Sequence, residues 1–75
     1  MKGITIRQAS ILCFVKEFMD RNQYAPTIRE IAAYFEISAK GAQDHITALR
    51  RKGFIKSAGS KPRTMVILKE VYLAP

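Results

Sequence analysis

The apolar residues of this chain recur at helical spacing in its first two thirds and change period after Gly53. Ile11, Phe14, Val15 and Phe18 stand at i, i+3, i+4 and i+7, with Leu12 and Met19 widening the stripe. That pattern predicts a helix over 6–21, with Thr5 as its N-cap. The stretch "NQYAP" ends it, since Pro26 forces Ala25 out of the helical region. "TIRE" opens a second, shorter helix over 28–35. Thr27 and Glu30 have the spacing of a capping box, and Ile28, Ile31, Ala32 and Phe35 supply the inner face.

Only "EIS" separates this helix from the next, so the link is a tight turn with Ile37 plugging the core at the corner. Ser38 is the expected N-cap of a third helix over 39–52. Its inner face is Ala42, Ile46 and Leu49, with His45 at the margin. Gly53 closes it in the left-handed conformation. Beyond, "FIKS" and "RTMVIL" are rich in β-branched or apolar residues and flank the turn-forming "AGSKP", which predicts a β-hairpin with a basic tip. The expected fold is mainly α with a small hairpin: a winged helix-turn-helix of three helices and a two-stranded antiparallel wing. It occupies residues 1–69, and 70–75 form a tail or the start of a linker.

Seventy-five residues make one small domain. Such a chain buries only about 60–65% of its unfolded surface, which does not suit a deep enzyme pocket. With 48% hydrophobic and 25% charged residues the composition is that of a globular chain. No apolar run is long enough to cross a bilayer, and no signal peptide is evident. The expected location is the cytosol. Cys13 is the single cysteine. Its apolar neighbours in "SILCFV" predict a buried, inert thiol.

The net charge is +7, and its placement decides more than its size. From Ser38 to Lys69 eight cations (Lys40, Arg50, Arg51, Lys52, Lys56, Lys61, Arg63 and Lys69) face Asp44 alone, while the remaining cations and acids balance. A one-sided basic patch on a small domain is the footprint of a polyanion binder. The third helix fits the major groove, which admits one α-helix. With 42, 46 and 49 turned inward, positions 40, 43, 44 and 47 point out. Gln43 can bond adenine N6 and N7, Lys40 can donate to guanine O6 or N7, and Asp44 can accept from cytosine N4. Gly41 costs about 1 kcal/mol against alanine in a helix; close approach to DNA and tolerance in the first turn are the two explanations. Arg50, Arg51 and Lys52 complement the negative helix end and also lie where a phosphate backbone would pass. Lys61 and Arg63, with Ser60, belong to the wing and would meet phosphates or the minor groove. Arg7 and Thr27, near helix starts, are further phosphate candidates.

No carboxylate pair, nucleophile–base set, metal cluster or phosphate loop is evident, so neither catalysis nor a cofactor is expected. His45, the one histidine, reads as a packed helix-edge residue. The competing reading of the same basic surface is a winged-helix interaction module, or a stand-alone small regulator, that holds an acidic protein partner.

Four pieces, "MKGITIRQ", "YAPTIREIA", "ISAKGAQDHITALRRKGFI" and "GSKPRTMVI", cover nearly all of residues 1–68. Together they resemble the N-terminal DNA-binding domain of the LexA family of SOS-response repressors. The resemblance implies a three-helix winged fold, repression of DNA-damage genes, and binding as a dimer to a palindromic double-stranded operator with CTGT-like half-sites. By position it implies base-facing roles for Ser38, Lys40, Gly41, Gln43 and Asp44. It implies backbone contacts from Arg7, Arg51, Lys52 and the wing. The sequence departs from the common pattern at Lys40, where many members have asparagine, and at Gln43 and Asp44, where two acids are common. Members of the family continue into a self-cleaving domain with an Ala-Gly cleavage site and a Ser/Lys dyad, which supplies most dimer contacts. The chain to Pro75 is accordingly expected to be an excised DNA-binding domain, pairing on DNA or through that missing domain.

Overall fold

The computed structural model describes residues 3–56 and 65–69. Helix α1 is Ile6–Asn22, α2 is Ile28–Phe35 and α3 is Ala39–Arg51. Strands β1, Ile55–Lys56, and β2, Val66–Ile67, form a two-stranded antiparallel sheet with Ile55 opposite Ile67 and Lys56 opposite Val66. The expected three helices and hairpin are all present, and the architecture is that of a winged helix-turn-helix. The expected tail at 70–75 and the basic tip 57–64, with Ser60, Lys61 and Arg63, lie outside the described residues.

Each helix start is set by a side chain that satisfies amides the helix itself leaves open. Thr5 Oγ1 accepts from Gln8 N at 3.1 Å, and Gln8 Oε1 accepts in return from Thr5 N at 3.2 Å. Thr27 and Glu30 form the same reciprocal box on α2, at 3.2 and 2.8 Å. Ser38 Oγ accepts from Gly41 N at 2.9 Å on α3.

The helix ends are equally local. Glu36 takes φ 55°, and Ile37 N then reaches back to Ala32 O at 3.0 Å while Glu36 N reaches Ala33 O at 3.3 Å. This pair of bonds turns the chain from α2 into α3 within three residues. Gly53, at φ 82°, does the same for α3, with Phe54 N on Leu49 O at 3.0 Å and Gly53 N on Arg50 O at 3.1 Å. The third helix therefore ends at Arg51, with Lys52 as its cap, one residue before the expected end. Helix α1 runs one residue further than expected because Gln23, at φ 65°, and not Arg21, closes it.

The core gathers Ile11, Leu12 and Val15 of α1, Ile31 and Ala32 of α2, Ala42, Ile46 and Leu49 of α3, and Ile55 and Met65 beside the sheet. Helix α3 packs on α1, α2 and β1 together, so its inner face is the centre of the domain. The buried stripe of α1 is rotated from the expected one. Ala9, Ile11, Leu12 and Val15 are covered, whereas Phe14 and Phe18 lie on the flank, half-buried. There Phe14 stacks on Tyr34 with centroids 4.4 Å apart and meets Phe35 edge-on at 5.7 Å, while Phe18 meets Tyr24 at 5.7 Å. Cys13 is half-buried and not, as its neighbours suggest, fully enclosed. The same rotation explains it: position 13 falls at the lip of a shallow groove of about 210 Å³ between α1 and α2.

Candidate nucleic-acid interface

The outward face of α3 follows from its inward one. Ala42 and Leu49 are fully buried and Ile46 nearly so, which fixes the rotation of the helix about its axis. Lys40, Gln43 and Asp44 are then exposed, with Thr47 half-buried on the same side. These residues form two pairs one turn apart. Lys40 Nζ lies 3.4 Å from Asp44 Oδ2, and Gln43 Nε2 donates to Thr47 Oγ1 at 3.2 Å. Exposed helix pairs of this kind are worth roughly 0.3–0.5 kcal/mol. They bias the rotamers without committing them, and a base edge can replace either partner.

Ser38 and Gly41 open the same face. Besides capping α3, the Ser38 hydroxyl occupies the space beside Gly41: a Cβ at position 41 would stand 3.2 Å from Ser38 Oγ. The cap thus opposes part of what alanine would gain at position 41, an effect that sequence spacing alone does not reveal.

The candidate backbone contacts are placed unequally. Arg50 and Arg51 are exposed on the last turn of α3. Arg7 is exposed at the start of α1, its guanidinium carbon 5.5 Å from the Phe35 ring centroid, so its charge lies over an aromatic face. Lys52 is exposed too, but its ammonium donates to Gln8 Oε1 at 2.9 Å. Thr27 is half-buried, and both its amide and its hydroxyl are engaged with the Glu30 carboxylate, at 2.8 and 3.2 Å. An acid at that helix start disfavours a phosphate, which sets Thr27 apart from the other candidates.

Gln8 was not among the residues the sequence singles out, although the Thr5-to-Gln8 spacing is that of a capping box. Its second role, holding Lys52 from a position 44 residues away, has no local signal. His45 is half-buried at the edge of α3, where the pattern puts it. Among the described residues no group of three His, Cys, Asp or Glu is placed to hold a metal ion, and no helix is long and apolar enough to cross a membrane.

The family described as the LexA DNA binding domain matches residues 1–64. The chain belongs to this family. It is 46% identical over 71 residues to the LexA repressor of Thermotoga neapolitana, covering 95% of this chain and 36% of that protein. It is 44% identical over 71 residues to the LexA repressor of Thermotoga maritima, with the same shares covered. Over 70 residues it is 37% identical to the LexA repressor of Leptospira interrogans, covering 93% of this chain and 34% of the relative. The chain thus spans about a third of the length of these curated relatives, and that third is a LexA-type DNA-binding domain.

Proposed function

We propose that this domain directs a LexA-like transcriptional repressor of DNA-damage genes to its operator in the bacterial cytoplasm. Helix α3 enters the major groove, and Ser38, Lys40, Gly41, Gln43 and Asp44 face the bases. Arg7, Thr47, Arg50, Arg51 and Lys52 meet the flanking phosphates, with Thr27 the weakest member because Glu30 engages it. Ser60, Lys61 and Arg63 extend the contact from the wing. Residues 1–69 act as one unit, and 70–75 lead away from it.

The observation that carries this reading is the two-sidedness of α3. Its inner face is sealed in the core while Lys40, Gln43 and Asp44, all able to read base edges, stand exposed. The name shared by its relatives supports repression as the outcome. Two copies bind a palindrome, their recognition helices about 34–36 Å apart, one turn of DNA. An acidic protein partner is the less favoured reading, since a protein surface needs no hydrogen-bonding set matched to bases.

The test is selection of bound duplexes from a random DNA pool, followed by titration of the selected sequence against a scrambled duplex. Specific binding by at least about a thousandfold is expected. With about five phosphates neutralised, the log–log salt slope is expected near −4 to −5. Equal, weak affinity for both duplexes would refute the reading.

A further inference from the structure

Helices α1 and α2 begin with the same device, a threonine cap and a residue three positions on that bonds back to it. They differ in that second residue. In α2 it is Glu30, whose negative charge suits a helix start. In α1 it is the neutral Gln8. The α1 box also has a further partner: Lys52, the cap of α3, donates its ammonium to Gln8 Oε1 at 2.9 Å.

We infer that Gln8 is a positioning residue for DNA binding, holding the Lys52 ammonium in place for a phosphate while leaving its charge intact; this rests on the DNA-binding reading above. Gln8 is 9% exposed, its backbone is tied to Thr5 Oγ1, and its carboxamide oxygen already accepts from Thr5 N. Its oxygen has two acceptor positions, one taken by Thr5 N and the other by Lys52. A fixed acceptor fixes the donor. A long lysine stem ordinarily loses its rotamer freedom when it binds, and that loss weakens binding. Lys52, though exposed, gives up part of it on folding instead. Glutamate at position 8 would cap α1 at least as well but would form an ion pair with Lys52 and cancel the charge a phosphate needs. A neutral amide serves both purposes, and the choice of Gln8 over a carboxylate has its physical reason there.

The experiment is a duplex titration over a salt series with the 75-residue chain, its folding checked by circular dichroism. The variants are Lys52→Met, Gln8→Ala, Gln8→Glu and the double variant Gln8→Ala/Lys52→Met. Lys52→Met is expected to weaken all sequences alike and to reduce the salt slope by about 0.9. Gln8→Ala is expected to weaken binding about three- to tenfold, the scale of one side chain's ordering, with the slope unchanged because the charge remains. In the double variant the Gln8→Ala loss is expected to vanish. Gln8→Glu is expected to melt no lower than the parent chain yet to bind more weakly than Gln8→Ala. Losses that add in the double variant, or a Gln8→Glu variant that binds like the parent, would overturn the inference while the parent chain still bound its duplex. A parent chain that binds no duplex would overturn the DNA-binding reading and this inference with it.

Discussion

The Ser38 hydroxyl and the Gly41 α-carbon share one small space: the hydroxyl bonds Gly41 N at 2.9 Å, and a methyl group on Gly41 would sit 3.2 Å from the same oxygen. Alanine at 41 gains about 1 kcal/mol of helix propensity and strains a cap worth about 1 kcal/mol. Gly41→Ala is therefore expected to leave the melting temperature within about 3 °C of the parent. If position 41 faces the groove floor, affinity for the selected duplex falls at least about tenfold. Thermal melting and duplex titration on one preparation separate the two effects.

Glu36 makes the turn between α2 and α3 at φ 55°, a conformation in which its Cβ is crowded. Its side chain is exposed, and only its backbone contributes to the turn. Glu36→Gly is expected to stabilise the domain by about 0.5–1 kcal/mol, after the greater unfolded-state freedom of glycine is set against the relief. Denaturant titration monitored at 222 nm measures this, and a lowered midpoint would show that the turn does not carry the strain.

Thr47 takes one amide hydrogen of Gln43, which leaves Gln43 with one N–H and one carbonyl oxygen, the pair that adenine N7 and N6 require. Thr47→Val preserves shape and removes the acceptor. If Gln43 reads adenine as proposed, the expected result is a loss of discrimination at that base pair, by about three- to tenfold, with the preferences at other positions retained. Repeating the random-pool selection with the variant gives the answer directly.

Much of this architecture is written in short-range patterns. Thr5, Thr27 and Ser38 sit at helix starts because a hydroxyl three residues ahead of an open amide is enough to cap it. Gly53 ends α3 because few other residues accept its φ. The rotation of α3 follows from Ala42, Ile46 and Leu49 alone. What local pattern does not convey is which flank of α1 the neighbours cover: Phe14 and Phe18 fit the helical period yet lie outside the centre, since Tyr34, Phe35 and Tyr24 approach from the side. The Gln8–Lys52 and Arg7–Phe35 contacts escape for the same reason, as each joins residues far apart in the sequence. Arg7, Thr27 and Lys52 read alike in sequence as cationic or polar groups at helix ends. Packing gives each a different partner.

Leu49 is fully buried where α3 meets the rest of the core. Leu49→Ala is expected to cost about 2–5 kcal/mol. A chain of this length has a total stability on the order of 4–11 kcal/mol, so a substantial unfolded fraction at 37 °C is expected. Loss of helical circular dichroism on mild heating is the measurement, and a variant melting like the parent would contradict the central place of α3.

The β-ladder is only two residues long on each side, yet its Ile55 is 1% exposed and the adjacent Met65 8%. Both strands are thereby anchored in the domain interior. Closing a loop of twice the length costs only about 0.6 kcal/mol more. Insertions between Lys56 and Met65 are therefore expected to cost the helices little. Across a lineage, or at the bench, the length of chain between Lys56 and Met65 can be varied without re-solving the three-helix core.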